Sequence, residues 1–150
     1  MLGLDTALGP VAEWDAGHIL LRASLDTGVF VRQRRVGWRV AIALPEGLHI
    51  YGSPVQDGFV SVGIDVSVPE GVVVDGPRYP APEYASFPFV DGAVPVYHGV
   101  FEVTGGVTFA DIREDVEVGV TVRYQACSDT ECFAPAVARV SLPIRYEAFG

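Results

Sequence analysis

From Val116 to Tyr124 the chain alternates apolar residues with polar or small ones at every step. Val116, Val118, Val120, Val122 and Tyr124 fall on one face of an extended chain, and Glu117, Gly119, Thr121 and Arg123 on the other. A period of two is the mark of a half-buried β-strand, not of an amphipathic helix. Residues 136–144 repeat it, with Ala136, Ala138, Val140 and Leu142 on one side and Arg139 and Ser141 on the other. The two segments are expected to pair as a hairpin. The remainder of the chain points to the same class. Val fills 25 of the 150 positions, and its stiff χ1 suits a pleated surface. The 17 Gly and 11 Pro interrupt the chain at short intervals. Turn signals stand at Pro45-Glu46-Gly47, Gln56-Asp57-Gly58, Pro69-Glu70-Gly71, Asp75-Gly76-Pro77 and Gly105-Gly106. Strands are expected near 18–24, 28–33, 37–44, 48–51, 60–67, 71–75, 96–103, 106–112, 116–125 and 136–145. That spacing predicts an all-β sandwich or barrel.

Composition then removes whole classes of function. With 49% apolar residues the chain can bury a full core and is not disordered. No run approaches the roughly 18 apolar residues of a membrane-spanning helix. The net charge is −9 and Arg supplies every basic residue, so a phosphate backbone would be repelled and nucleic-acid binding is not expected. The absence of Lys removes Schiff-base chemistry, and the absence of Asn removes Asn-linked glycosylation. Residues 1–5 have neither a positive n-region nor an apolar h-region, which reads as no signal peptide.

Two segments depart from the strand pattern. Residues 1–17 read as a lead-in or linker to a sandwich over 18–150, with one helical turn at Ala12 to Ala16. Residues 77–95 hold five prolines, which argues against a central strand there. The same stretch carries Tyr79, Tyr84, Phe87 and Phe89, so it reads as an aromatic loop lying on something.

The only cysteines, Cys127 and Cys132, are separated by four residues at the tip of the expected 116–144 hairpin. Facing strands there would hold the two Cα atoms near ~5.5 Å, within disulfide range. Three readings compete. A structural staple over so short a loop removes about 2 kcal/mol of unfolded-chain entropy. Half of a zinc site would need a second ligand pair, and His18, His49 and His98 lack ligand spacing, so no metal is expected. A reversible dithiol fits an accessible pair at an exposed tip. Asp129 and Glu131 between the sulfurs would disfavour thiolate, unless Arg123 or Arg139 offsets them. Such a pair suits exchange with a partner that carries the more reactive thiolate. His49 and His98 read as strand residues facing water or a local carbonyl. Arg32, Arg34, Arg35 and Arg39 read as a solvated basic face.

The segment Arg123-Tyr124-Gln125-Ala126-Cys127, four residues, then Cys132-Phe133-Ala134-Pro135 resembles the Tyr-Gln-x-Cys…Cys-Tyr-Pro-Pro signature of the N-terminal domain of the DsbD thiol:disulfide interchange proteins. Leu44 to Tyr51 resembles that family's Pro-x-Gly-Trp-His-Ile-Tyr segment. Val72 to Pro80 resembles its Gly-Val…Tyr-Pro segment, ahead of Val96-Tyr97-His98-Gly99. Phe133 and Ala134 depart from the family's Tyr and Pro. The resemblance implies an immunoglobulin-like β-sandwich in which Cys127 and Cys132 are catalytic, with Cys132 the attacking sulfur. It implies a cap loop of Phe87, Phe89, Val90 and Asp91 over the sulfurs, with Tyr51, Tyr124 and Phe133 as walls. It implies thiol–disulfide exchange without a cofactor, between a thioredoxin-fold partner and oxidised protein substrates on the periplasmic side. The chain lacks the membrane-spanning and thioredoxin-like parts of full-length DsbD. It therefore also fits a sandwich attached to a peroxiredoxin-like redoxin in the cytoplasm. The rival function is a non-catalytic immunoglobulin-like interaction module whose disulfide only pins a hairpin.

Overall fold

A computed structural model describes residues 9–55, 58–90 and 92–148. Its β-strands are β1 (Val11–Asp15), β2 (Leu20–Leu25), β3 (Val29–Phe30), β4 (Arg35–Ala43), β5 (His49–Tyr51), β6 (Gly63–Ser67) and β7 (Val72–Arg78). They continue with β8 (Glu83–Ala85), β9 (Val94–Tyr97), β10 (Val100–Phe109), β11 (Val116–Tyr124), β12 (Ala126–Cys127) and β13 (Ala136–Tyr146). One large sheet runs β1-β2-β4-β10-β7 and the second β3-β13-β11-β6, while a small sheet runs β12-β5-β9-β8. The architecture is an immunoglobulin-like β-sandwich.

The expected hairpin is the backbone of the second sheet: β11 and β13 pair antiparallel from Val116↔Ile144 to Tyr124↔Ala136. The five apolar β11 residues are all buried, and Ala138 and Leu142 meet them from β13. Trp38, Val40 and Ile42 of β4 and Val103 and Val107 of β10 close the core from the opposite sheet.

Elsewhere the chain departs from the expected pattern, for reasons that can be named. Residues 11–15 form no helical turn. They pair along β2 as an edge strand, with Trp14 opposite Leu21. Gly105-Gly106 is not a turn but the middle of one long strand. A Cβ on Gly105 would lie 2.3 Å from Trp38 Cζ2, and one on Gly106 2.2 Å from Arg35 Nε. The glycines let two bulky neighbours lie flat on β10, and the register with β7 shifts there as a bulge. The true break comes at His98-Gly99, where Gly99 takes φ +69°. Pro95 stands in β9, an inner strand of the small sheet, against the expectation for this Pro-rich stretch. Its carbonyl still accepts the Gly52 N–H, so only the amide donor is forgone. β8, which follows Pro80 and Pro82 but contains no proline itself, lies at an edge of that sheet.

The small sheet forms where strands of both large sheets run on past one end of the sandwich. β5 follows β4, β9 leads into β10, and β12 continues β11. It brings residues from three distant parts of the sequence beside the cysteines.

Candidate functional site

The cysteines close a tight arm after β12. Ser128 N donates to Glu131 O at 2.8 Å, and Ser128 Oγ accepts the N–H groups of Thr130 and Glu131 at 3.2 Å each. A Ser at the first turn position satisfies local donors in this way. Phe133 N donates to Ala126 O, so hydrogen bonds flank the Cys127–Cys132 pair without joining it. This is the narrow type of antiparallel pair. The Cα atoms are 3.9 Å apart and the sulfurs are bonded, a closer approach than the ~5.5 Å of a hydrogen-bonded pair.

The pair is not the exposed hairpin tip that spacing suggested. Cys127 is 0% exposed, and Cys132 is half-buried. β12 pairs with β5, placing Cys127 directly opposite His49. Tyr51, two residues on and on the same face, brings its hydroxyl to 3.8 Å from Cys132 Sγ. Burial raises the Tyr51 hydroxyl above its ordinary pKa, so it stays protonated.

A cluster separate from the main core encloses the sulfurs. Tyr51, Val94, Val96 and Cys127 are its buried members, with Val55, Phe59, Ala85, Phe87, Val90 and Cys132 packed around them. Of the residues expected in a cap, Phe87 and Val90 pack around this cluster, Phe89 is not part of it and touches it through Phe87 and Phe59, and Asp91 lies outside the described residues. Phe87 stacks on His49 at 4.3 Å and on Phe89 at 5.8 Å. Phe59 meets Tyr51 edge-on at 5.3 Å and reaches Phe89 at 6.2 Å. The other two expected wall residues are placed differently. Tyr124 belongs to the main core, and Phe133 is 38% exposed. Both reach His18, which lies before β2 rather than in it; its ring is 5.1 Å from that of Phe133.

Three contributors went unassigned in the sequence. Phe59 carried no signal. Gln125 is buried; its Oε1 accepts Val60 N–H and its Nε2 donates to Phe133 O, tying the segment before β6 to the cysteine arm. Its place two residues before Cys127 was the available signal. His49 was expected to face water or a carbonyl, but it is buried, and its Nε2 has no hydrogen-bond partner. Burial holds its pKa below 6.5, with Asp129 opposing the shift. His98 is exposed and pairs with Glu83 at 2.8 Å. Of the arginines that might have offset Asp129 and Glu131, Arg123 is engaged by Asp65 of β6. Arg35, read as part of a basic face, is bound by both carboxylate oxygens of Asp75. Among the described residues no cluster of His, Cys, Asp and Glu could hold a metal ion.

The geometry supplies a single disulfide with one sulfur sealed and the other half-covered by aromatic rings. Comparison with solved structures finds the same fold. The N-terminal domain of DsbD from Neisseria meningitidis, in its reduced form, matches with a TM-score of 0.52 at 17% identity, over 73% of this chain and 78% of that one. The N-terminal periplasmic domain of ScsB from Proteus mirabilis matches with a TM-score of 0.57 at 16% identity, over 93% of this chain and 51% of that one. No curated protein matches the chain by sequence. The family model described as thiol:disulfide interchange protein DsbD, N-terminal, matches residues 18–143. The chain therefore belongs to the family of DsbD N-terminal domains.

Proposed function

We propose that the domain passes electron pairs through Cys127 and Cys132 by thiol–disulfide exchange, receiving them from a thioredoxin-fold partner and delivering them to oxidised protein substrates. The observation that carries this reading is the unequal burial of the two sulfurs under an aromatic cover. A staple has no use for one half-open sulfur. An exchange site needs one sulfur for the partner and one held back to resolve the intermediate.

In this mechanism the partner thiolate attacks Cys132 Sγ. A bond forms between those sulfurs, the Cys127–Cys132 bond breaks, and Cys127 leaves with the electron pair. The partner's second thiolate then attacks its own sulfur in the mixed disulfide and frees Cys132. Reduction of a substrate runs the same steps in the opposite sense: Cys132 attacks, then Cys127 resolves. Phe87, Phe89 and Val90 form a gate that moves aside for the partner, and Tyr51 and Phe133 border the sulfur it attacks. No cofactor is required, because the sulfurs carry the electrons. An extracytoplasmic setting suits a disulfide-exchanging domain, and the ScsB domain it resembles is periplasmic.

Equilibration against glutathione, with thiol counting, tests the reading. A potential of about −180 to −270 mV is expected, where exchange proteins lie. A value below about −300 mV indicates a structural disulfide and overturns it in favour of a pinned interaction module. A Cys127→Ser variant is expected to form a mixed disulfide through Cys132 with the oxidised form of a thioredoxin-fold partner, the Cys132 thiolate attacking the partner's disulfide and releasing one of its sulfurs as a thiolate.

A further inference from the structure

Exchange at Cys132 leaves a proton problem that the sulfurs cannot solve alone. Cys127 is fully buried, and a thiolate in such a place is costly without a partner. As a resolving thiol it must lose its proton before it attacks, yet water does not reach it. The carboxylates of the arm, Asp129 and Glu131, are exposed. The Tyr51 hydroxyl lies against the other sulfur and stays protonated.

One group is placed to take that proton. His49 stands directly opposite Cys127 in the β5–β12 pair, and side chains so related share a face with Cβ atoms about 4.5–5.5 Å apart. Its ring is buried, and Nε2 has no hydrogen-bond partner. An orphaned buried nitrogen has given up its hydrogen bond to water and gained none in return, and so calls for an explanation. The redox state supplies one. In the disulfide neither sulfur carries a proton, so Cys127 has nothing to donate; on reduction it gains one, directly across the strand pair from the orphan.

We infer that His49 is the general base for Cys127, accepting its proton through Nε2 as Cys127 attacks the mixed disulfide held on Cys132. The inference rests on the exchange reading above. The step balances. The Cys127 S–H proton moves to His49, and its electron pair forms the bond to Cys132 Sγ. The substrate sulfur leaves with the pair from the broken mixed disulfide. The imidazolium then returns its proton to solvent or to the departing thiolate. In the opposite direction the protonated ring neutralises the Cys127 thiolate as the partner releases it. Cysteine–histidine pairs activate thiols in this manner.

The surroundings suit a base. Burial favours neutral imidazole, and His98 adds to that effect while Asp129 opposes it. Glu46 and Glu83 share with His49 the wall of an open cleft of about 550 Å³. Phe87 stacks on the ring at 4.3 Å with only 8° between the planes, so the cap that covers the sulfurs also fixes the base. Displacing the cap would expose the ring to water just as its proton must leave.

The test follows reduced full-length protein reacting with oxidised glutathione, quenched in acid and read by mass spectrometry. His49→Gln is expected to form the Cys132–glutathione mixed disulfide at a rate within about twofold of wild type. It should then resolve it about 100-fold more slowly, at the low end of what a positioned base contributes. The inflection of the resolution rate near the histidine range should disappear with it. Resolution at the wild-type rate with an unchanged pH profile overturns the inference while leaving the exchange reading intact. If a Cys127→Ser variant forms no mixed disulfide with glutathione at all, the exchange reading fails and takes the inference with it. Should His49→Gln not fold, the wild-type ring is titrated by NMR in both redox states. A midpoint that moves on reduction marks a coupled pair, and coincident titrations overturn the proposal.

Discussion

Between the two large sheets the interior is mostly aliphatic, with Trp38, Phe30, Phe109 and Tyr124 set among the Val, Ile and Leu side chains, and around the disulfide it is aromatic and polar. The sandwich core is filled by Val36, Val40, Ile42, Val103, Val107, Val118, Val120 and Leu142, with Trp38 across β10. The buried polar side chains among the described residues, His49 and Gln125, both flank the cysteines instead. Burying such groups costs free energy unless they are satisfied. Gln125 is satisfied by two bonds that join loops, whereas His49 Nε2 is left without one; the other unpartnered buried side-chain nitrogen among the described residues is Trp38 Nε1, on a ring whose apolar bulk fills the sandwich core. The first region is built for stability. The second holds groups that stability alone would have replaced with Leu or Val, and that contrast is what points to chemistry at this end of the molecule.

The largest change expected anywhere is in the core. Trp38→Ala removes the buried side chain that Gly105 accommodates and should cost about 3–5 kcal/mol. Urea unfolding measures this, and the potential of the cysteine pair should stay within error of wild type. A shifted potential would show that the two regions are not independent. Next comes loss of the cysteine pair. Cys127→Ser with Cys132→Ser should abolish exchange while costing only about 2 kcal/mol. Unfolding of the double variant at room temperature, or partner binding unchanged by it, would favour the pinned interaction module. Smaller again is Phe89→Ala. Phe89 stacks on Phe87 and meets Phe59 without joining the buried cluster. Thinning the cap there should cost about 1 kcal/mol, by partial burial of the ring, and should raise the rate of reduction by dithiothreitol several-fold. An unchanged rate would mean that the cap does not limit access to Cys132.

The two regions also differed in how far they could be read from the sequence. β11 and β13 were legible because one face meets the core and the other meets water, which writes a period of two into the residues. β10 was misread at Gly105-Gly106, because the demand for glycine there comes from Trp38 and Arg35 on a neighbouring strand and leaves no local trace. β1 was missed because its five residues carry few buried side chains and exist as a strand only by pairing with β2. At the site, the cysteines and the aromatic run through Phe89 were visible as residue types. Their enclosure was not, because it depends on three strands converging from distant parts of the chain. His49 looked like an exposed strand residue for the same reason: what buries it is Phe87, 38 positions away by sequence number.

The smallest effect sharpens the comparison most, because it separates the regions by proton binding. Burial holds the His49 ring below its ordinary 6.5, with His98 acting in the same direction and Asp129 against it. In the unfolded chain the ring titrates near ~6.5. Between the two values the unfolded chain binds more protons, so stability rises with pH. The neutral ring's contribution is present in full above the unfolded value. It is lost as pH falls through that value and levels off below the folded one. The slope for one site is at most about 1.4 kcal/mol per pH unit. Asp75, lowered chiefly by its hydrogen bond to Arg35, acts in a separate window below 3.8. Urea midpoints of the oxidised protein between about pH 5 and 8 should therefore decline on the acid side. His49→Phe, which keeps a ring against Phe87 but cannot titrate, should flatten that decline. Trp38→Ala should lower every midpoint and leave the slope alone, because nothing it touches gains or loses a proton in that range. If the two variants changed the slope alike, the acid sensitivity would belong to the sandwich as a whole and not to the cysteine end.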